Sequence, residues 1–208
     1  GKHIDIDLSI FPILNEANEI ISYTGIGRDI TERKKAENLM TIRLKYEEGL
    51  AACSQALLSD TGSESALNEA MNYLLKASNT SRVYIFKNFE DPKDGICMHQ
   101  THEVCAPQVT PQIDNPVLQH VPYKSGFERW RKTIHNGELI AGIVETLPES
   151  EREILESQNI LSILIIPLWV EGDWYGFIGF DDVVEKREWN DEDIRLLQTA
   201  AKVIGIFL

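Results

Sequence analysis

The chain has few cysteines, only Cys53, Cys97 and Cys105 in 208 residues, and no two of them form a C-x-x-C pair. A disulfide framework and a zinc ribbon are therefore excluded, and a reducing, cytoplasmic setting is the default. No apolar run reaches the length of a membrane span, and no signal peptide opens the chain. Basic residues are scarce, 20 Lys and Arg against 33 Asp and Glu, for a net charge of −13. Nucleic acid and anionic lipid are thereby disfavoured as partners, since both require clustered cations. No Gly-rich phosphate loop is present. What is there, 43% hydrophobic and 25% charged residues, suits an ordinary globular chain of one or two domains. The opening G-K-H-I-D and a helical pattern still running at Leu208 are expected of a segment cut from a longer protein.

The stretch Asp29 to Leu58 reads as one helix, without proline or a polar cluster inside it. Asp29 is a good N-cap, and Glu32 three residues on is placed for a capping box. With Ala36 at position a of a heptad, the a and d positions are Ala36, Leu39, Arg43, Tyr46, Leu50, Cys53 and Leu57. Only Arg43 among them is strongly polar. A stripe of that period predicts helix pairing, hence a homodimer, over burial in one core. The alternative is an ordinary amphipathic helix of the domain that follows. About 28 residues at ~1.5 Å rise would span ~42 Å, with Gly49 a point of weakness.

Ahead of this helix, His3 to Ile10 alternates apolar and polar residues, N-E-A-N-E (15–19) supplies a turn, and Ile20 to Ile30 a second strand. A two-stranded hairpin alone is not stable in water, so its apolar face needs a cover, either the helix or a second copy of the chain. The run I-D-L-S-I-F-P-I, the turn, and I-I-S-Y-T-G-I-G-R-D-I-T-E-R-K-K-A-E resemble the C-terminal end of a PAS domain. In that family a D-I-T motif, here Asp29, Ile30 and Thr31, opens a signalling helix. The resemblance covers about thirty residues and lacks the part that encloses a PAS ligand.

Beyond the helix, Ser63 to Ala77 shows helical spacing with Ser63 as the expected cap, and Ser81–Phe89 and Ile96–Cys105 read as strands around the turn D-P-K-D-G. The proline-rich segment 107–116 cannot be regular. A helix is expected over 126–136, a strand over 139–144, and a glutamate-rich helix over 148–158. The run I-L-S-I-L-I-I-P-L-W-V (160–170) is too short for a membrane and too β-branched for a helix. After the turn E-G-D comes W-Y-G-F-I-G-F-D-D, whose glycines imply close backbone approach. Asn190 then caps a final helix with Ile194, Leu197, Ala201 and Ile204 on one face. The fold class is α+β: an antiparallel sheet of five to six strands flanked by helices, preceded by the hairpin and the long helix. The section from about Tyr46 to Leu208 resembles a GAF domain, most closely in I-L-S-I-L-I-I-P-L-W-V-E-G-D-W-Y-G-F-I-G-F-D-D and R-E-W-N-D-E-D-I-R-L-L. The expected division is a PAS-type hairpin over 1–31, a signalling helix over 32–58 and a GAF domain over 59–208. That order resembles multidomain bacterial and archaeal sensor histidine kinases.

The resemblance implies a sensory and dimerisation module whose kinase or other output domain lies elsewhere in the parent protein. No kinase core is in the chain: the five histidines lack the phosphoacceptor setting, and the Asn- and Gly-rich ATP boxes are missing. Cys97, His99, His102 and Cys105 form the densest reactive cluster, but eight residues of strand separate the two cysteines by ~26 Å, too far for one zinc, so no metal site is assigned. The cofactor is unknown. Some GAF sensors are haem proteins, and Cys105 or His102 would be the axial ligand of a bound haem. Bilin attachment fits less well, since E-V-C-A-P matches neither common pattern, and no N-K-F-D-E signature points to a cyclic nucleotide. A thiol redox enzyme using Cys97 and Cys105 is a rival reading; against it, both cysteines also read as small strand hydrophobes. A small-molecule pocket between the sheet and segment 106–135 would have Phe127 and Trp130 on one wall and Phe180 opposite. The alternative reading is that those aromatics are simply core.

Overall fold

The structure, a computed structural model, describes residues 3–59 and 63–208. Gly1, Lys2 and residues 60–62, where the sequence places the opening of the second domain, lie outside the described residues. The chain divides into two compact units, 1–44 and 45–208.

In the first unit, β1 (Ile6–Leu14) and β2 (Ile20–Asp29) pair antiparallel from Ile6↔Asp29 to Leu14↔Ile20. Asn15 closes the turn: its Oδ1 accepts from the backbone N–H of Ala17 and Glu19 at 3.0 and 2.9 Å. Helix α1 (Thr31–Ser59) follows at once. Asp29 Oδ1 accepts from Thr31 N at 2.9 Å, the capping role expected of it, while Glu32 turns to Lys35 and leaves no capping box. The base of the hairpin is tied to the helix start by Asp5 N to Thr31 Oγ1 and by the Lys34–Asp5 ion pair. The expected helix cover over the hairpin does not form. Ile6, Leu8, Ile10 and Ile26 are 59% to 68% exposed.

The second unit comprises the rest of α1, α2 (Glu64–Ser78), β3 (Arg82–Asp91), β4 (Gly95–Cys105), β5 (Val121–Pro122), α3 (Glu128–His135), β6 (Ile140–Ile143), α4 (Glu149–Ser157), β7 (Ser162–Val170), β8 (Asp173–Asp182) and α5 (Asp191–Phe207). The strands form one antiparallel sheet in the order β5-β4-β3-β8-β7-β6. Its two faces carry separate cores. Val83, Ile85, Leu164, Ile166, Ile178 and Phe180 pack against α1, α2 and α5. Tyr84, Phe86, Ile163, Ile165 and Phe177 pack against α3, α4 and the loops beside them. A strand covered on both faces needs apolar residues at every position, which is why β7 reads as a continuous run. Pro167 lies beyond the β6 pairing, which ends at Ile165, so no ladder bond is lost on that side. Glu171 and Gly172 both adopt positive φ, 51° and 93°, as a tight two-residue hairpin requires. Asn190 Oδ1 caps α5 through Glu192 N and Asp193 N.

The α1 stripe is split in use. Tyr46, Cys53 and Leu57 are at most 3% exposed within the core of the second unit, and Leu50 is partly buried there. The same core cluster contains Leu67, Met71 and Leu74 of α2 and Leu197, Ala201 and Ile204 of α5. Gly49 is the contact point with α2: a Cβ there would stand 2.4 Å from Ala77 Cβ. Arg187 bonds Tyr46 Oη, the Ser78 carbonyl and Asp193, joining α1, α2 and α5. Ala36 and Leu39, upstream, are exposed.

Candidate functional site

The second core encloses a cavity between the sheet and the α3–α4 side. Tyr84 and Phe86 come from β3, Met98, Gln100 and Glu103 from β4, and Phe177 and Asp181 from β8. Leu118, Val121, Phe127, Trp130 and Leu155 close it from above. The room for the centre of a water-sized sphere is ≈ 30 Å³, enough for about two waters.

Aromatic packing shapes the walls. Phe86 and Phe177 stack at 5.0 Å and 15°, Trp130 stands edge-on to Phe177 at 5.9 Å, and Phe127 edge-on to Trp130 at 4.9 Å. The roof is fixed by Glu151, itself 1% exposed. Its carboxylate accepts from Arg129 Nε and Nη2 at 2.7 and 2.6 Å and from Trp130 Nε1 at 2.8 Å, clamping α3 to α4 through a charge-assisted fork. On the sheet side, Tyr84 lies over Gly179, where a Cβ would meet ring carbon Cε2 at 2.1 Å. Gly176 lets β3 approach in the same way: a Cβ would stand 2.0 Å from the Phe86 carbonyl oxygen. Both glycines therefore serve the close approach that the sequence implies.

The polar end holds Arg82 and Asp181, each 1% exposed, with Nε to Oδ1 at 3.1 Å. Arg82 Nη2 also donates to the Gln158 carbonyl at 3.0 Å. Burial pushes the Asp181 carboxyl up to about 7 despite the guanidinium beside it. Glu103 Oε2 accepts from the backbone N–H of Gln112 and Ile113 at 2.6 and 2.8 Å, ordering the proline-rich segment. Its Oε1, and Oε1 of Gln100, are buried without a hydrogen-bond partner.

Of the residues singled out in the sequence, Phe127 and Trp130 line this cavity and Phe180 does not. Phe180 pairs with Val83 and Leu164 and belongs to the opposite core; Phe177, three residues earlier, takes the expected place. The reactive cluster on β4 is likewise rearranged. The β3 register slips between Ile85 and Phe86, which face His102 and Gln100, so Thr101 is the extra residue of a β-bulge. Beyond it every side chain changes face relative to an unbroken alternation. His102 joins Cys97 and His99 on the Ile85 side of the sheet, and Cys105 moves to the Tyr84 side. Neither His102 nor Cys105 lines the cavity. Burial lowers the His102 pKa and pushes the Cys105 thiol up to about 12, with Glu103 adding to the rise. A haem does not fit: both candidate axial ligands lie outside a cavity that has room for about two waters. Cys97 is fully buried beside His120, with Sγ to Nε2 at 3.7 Å. Among the described residues, the side chains brought within ligand reach of one another are Asp91 and Asp94 at the β3–β4 turn and His120 just before β5, and Lys124 pairs with Asp94 there. No helix among the described residues is long and apolar enough to cross a membrane.

Tyr84, Gln100, Glu103 and Asp181 carried no sequence motif. Only the absence of alternation in β8 hinted that both of its faces are packed.

Residues 63–208 match the family model of the GAF domain. The chain is 38% identical over 195 residues to the methanogenesis regulatory histidine kinase FilI of Methanothrix harundinacea (strain 6Ac), an alignment covering 93% of this chain and 22% of that protein. The chain thus spans about a fifth of that relative's length. Among solved structures, the phycocyanobilin-bound GAF domain from a cyanobacterial phytochrome aligns at TM-score 0.64 and 14% identity, over 77% of this chain and 92% of that one. A far-red absorbing dark-state protein with bound biliverdin IXa aligns at 0.65 and 12%, over 76% and 96%. The chromophore-binding domain of Stigmatella aurantiaca bacteriophytochrome aligns at 0.61 and 14%, over 78% and 59%. At these identities the structural likeness is one of fold. With the six-stranded sheet, its two-sided core and a family match over residues 63–208, this chain belongs to the GAF domain family.

Proposed function

We propose that the chain is the ligand-sensing and dimerisation segment of a cytoplasmic sensor histidine kinase, with the output domain elsewhere in the parent protein. The observation that carries this reading is that the strands lining the cavity are those on which the outer helices rest. Tyr84 and Phe177 face the cavity while their neighbours Val83 and Ile178 pack in the core shared with α1, α2 and α5. A ligand that shifts β3 or β8 has no slack to absorb the movement, because cores are close-packed. The 38% identity to a regulatory histidine kinase supports this kind of output.

Residues 1–31 are, in this reading, the end of a PAS domain. The D-I-T turn opens α1 as that resemblance implies, and a hairpin apolar and exposed on both faces suits a fragment whose enclosing part is missing. Dimer pairing falls to the upstream part of α1. Ala36 and Leu39 are exposed there, as are Met40, Ile42 and Leu44, whereas the downstream positions are spent inside the domain. The bilins named for the solved neighbours are poor candidates as ligand, since E-V-C-A-P is not an attachment motif and the cavity is small. The high Cys105 pKa also argues against the thiol enzyme, because the thiolate is the reactive form.

Sedimentation velocity at tens to hundreds of micromolar tests the dimer. Reversible association lost in Leu39→Asp is expected. A wild-type chain that stays monomeric throughout overturns that part of the reading.

A further inference from the structure

Taking the cavity as the ligand site, as proposed above, we infer that it selects a small planar molecule presenting N–H donors, of the amidine or guanidine class, with Gln100 and Glu103 as its acceptors. The polar inventory of the wall leads there. Tyr84 Oη and the Gln100 amide nitrogen remain as donors on the wall, whereas Trp130 Nε1 bonds Glu151, Gln158 Nε2 bonds the Ile154 carbonyl, and Arg82 beside the wall bonds Asp181 and the Gln158 carbonyl, so those donors are already engaged. Two acceptors are not. Gln100 is 4% exposed with Oε1 unpartnered, and Glu103 keeps Oε1 unpartnered while Oε2 holds two backbone N–H groups. Buried acceptors are ordinarily satisfied, so a pair left open on one wall marks a place where a partner arrives from outside.

The bulge at Thr101 makes this pair. Residues 100 and 103 of a regular strand face opposite ways; the extra residue turns both onto the cavity side. The rest of the wall specifies shape. Phe86 and Phe177, stacked on each other, and Trp130, edge-on to Phe177, make the lining largely aromatic, and a delocalised planar cation is well received against aromatic groups. A group of four heavy atoms exceeds the room for about two waters now present, so binding has to widen the cavity, and a carboxylate ligand would set acceptor against acceptor at Gln100 and Glu103.

The test uses acetamidine and acetate, which share one shape and reverse the hydrogen-bonding character, with xenon as a probe of apolar space alone. The readout is the Trp130 indole N–H resonance of the whole chain. Saturable shifts with acetamidine and none with acetate at the same concentration are expected. Gln100→Leu and Glu103→Gln should each weaken acetamidine binding about tenfold while the fold, checked by the remaining amide spectrum, persists. Equal binding of acetate, acetamidine binding indifferent to both substitutions, or a xenon response with no acetamidine response overturns the inference but leaves the cavity as a ligand site. If neither xenon nor acetamidine reaches Trp130, the reading of the cavity as a ligand site fails as well.

Discussion

Gln100 and Glu103, three residues apart on β4, face the same side of the sheet. Thr101 between them forms the bulge and donates through Oγ1 to the Ile85 carbonyl at 3.2 Å. The arrangement places two unpartnered acceptors in a largely apolar wall, which is costly while the cavity is empty. Replacing the orphaned amide by an apolar side chain of similar volume should therefore stabilise the ligand-free protein. Gln100→Met is expected to raise unfolding free energy by about 1 kcal/mol, read as a higher urea midpoint at unchanged m-value. A lower midpoint would show that the amide is already satisfied.

Gly179 is a steric requirement of the same wall. A methyl there meets the Tyr84 ring at 2.1 Å, and the ring is sealed in the core between β3 and its neighbours. Gly179→Ala is expected to cost about 1–3 kcal/mol as an overpacking change. Tyr84→Ala in the same background should recover part of that loss, and a thermodynamic double-mutant cycle measures the coupling.

Much of the fold was legible because its signals are local. The Asp29 and Asn190 caps, the E-G turn of β7–β8 and the helical stripe of α2 each follow from neighbouring residues. The face assignments were not legible, and for one reason. In β7 and β8 both sides are buried, so alternation vanishes and nothing in W-Y-G-F-I-G-F-D-D says whether Phe177 or Phe180 meets the cavity. In β4 a bulge inverts the phase after Thr101 without a glycine or proline to announce it, which is how His102 and Cys105 exchanged faces. The α1 stripe is a different case: its heptad spacing reports that a helix buries one side but not against what, and Tyr46, Cys53 and Leu57 lie in the core cluster that also holds residues of α2 and α5.

Glu151 is buried on α4 yet looks in sequence like one glutamate of a solvated helix. Removing it strands Trp130 Nε1 inside the core and releases Arg129, whose side chain is 44% exposed and can rehydrate. Glu151→Ala is expected to cost about 2–3 kcal/mol, chiefly through the buried indole. Glu151→Gln, which keeps an acceptor for Trp130, should cost less. The Trp130 indole proton is the local probe: its resonance should move in the alanine variant before global unfolding does. Equal losses in the two variants would show that the charge, rather than the acceptor, matters.

Asp181 sets the pH dependence expected of the second unit. Its carboxyl is raised from 3.8 to about 7, with burial the dominant cause and Arg82 opposing it. Between those values the native chain retains a proton that the unfolded chain has released. Because stability falls with rising pH wherever the native state binds more protons, this group favours the fold most below about pH 4 and loses that contribution as pH climbs to about 7. Asp181→Asn mimics the protonated form and leaves nothing to titrate. Its absolute stability will suffer from the altered Arg82 contact, but its slope of unfolding free energy against pH should be flatter than wild type between pH 4 and 7. Parallel slopes in that window, from urea titrations at closely spaced pH, would mean that Arg82 keeps the buried Asp181 ionised across it.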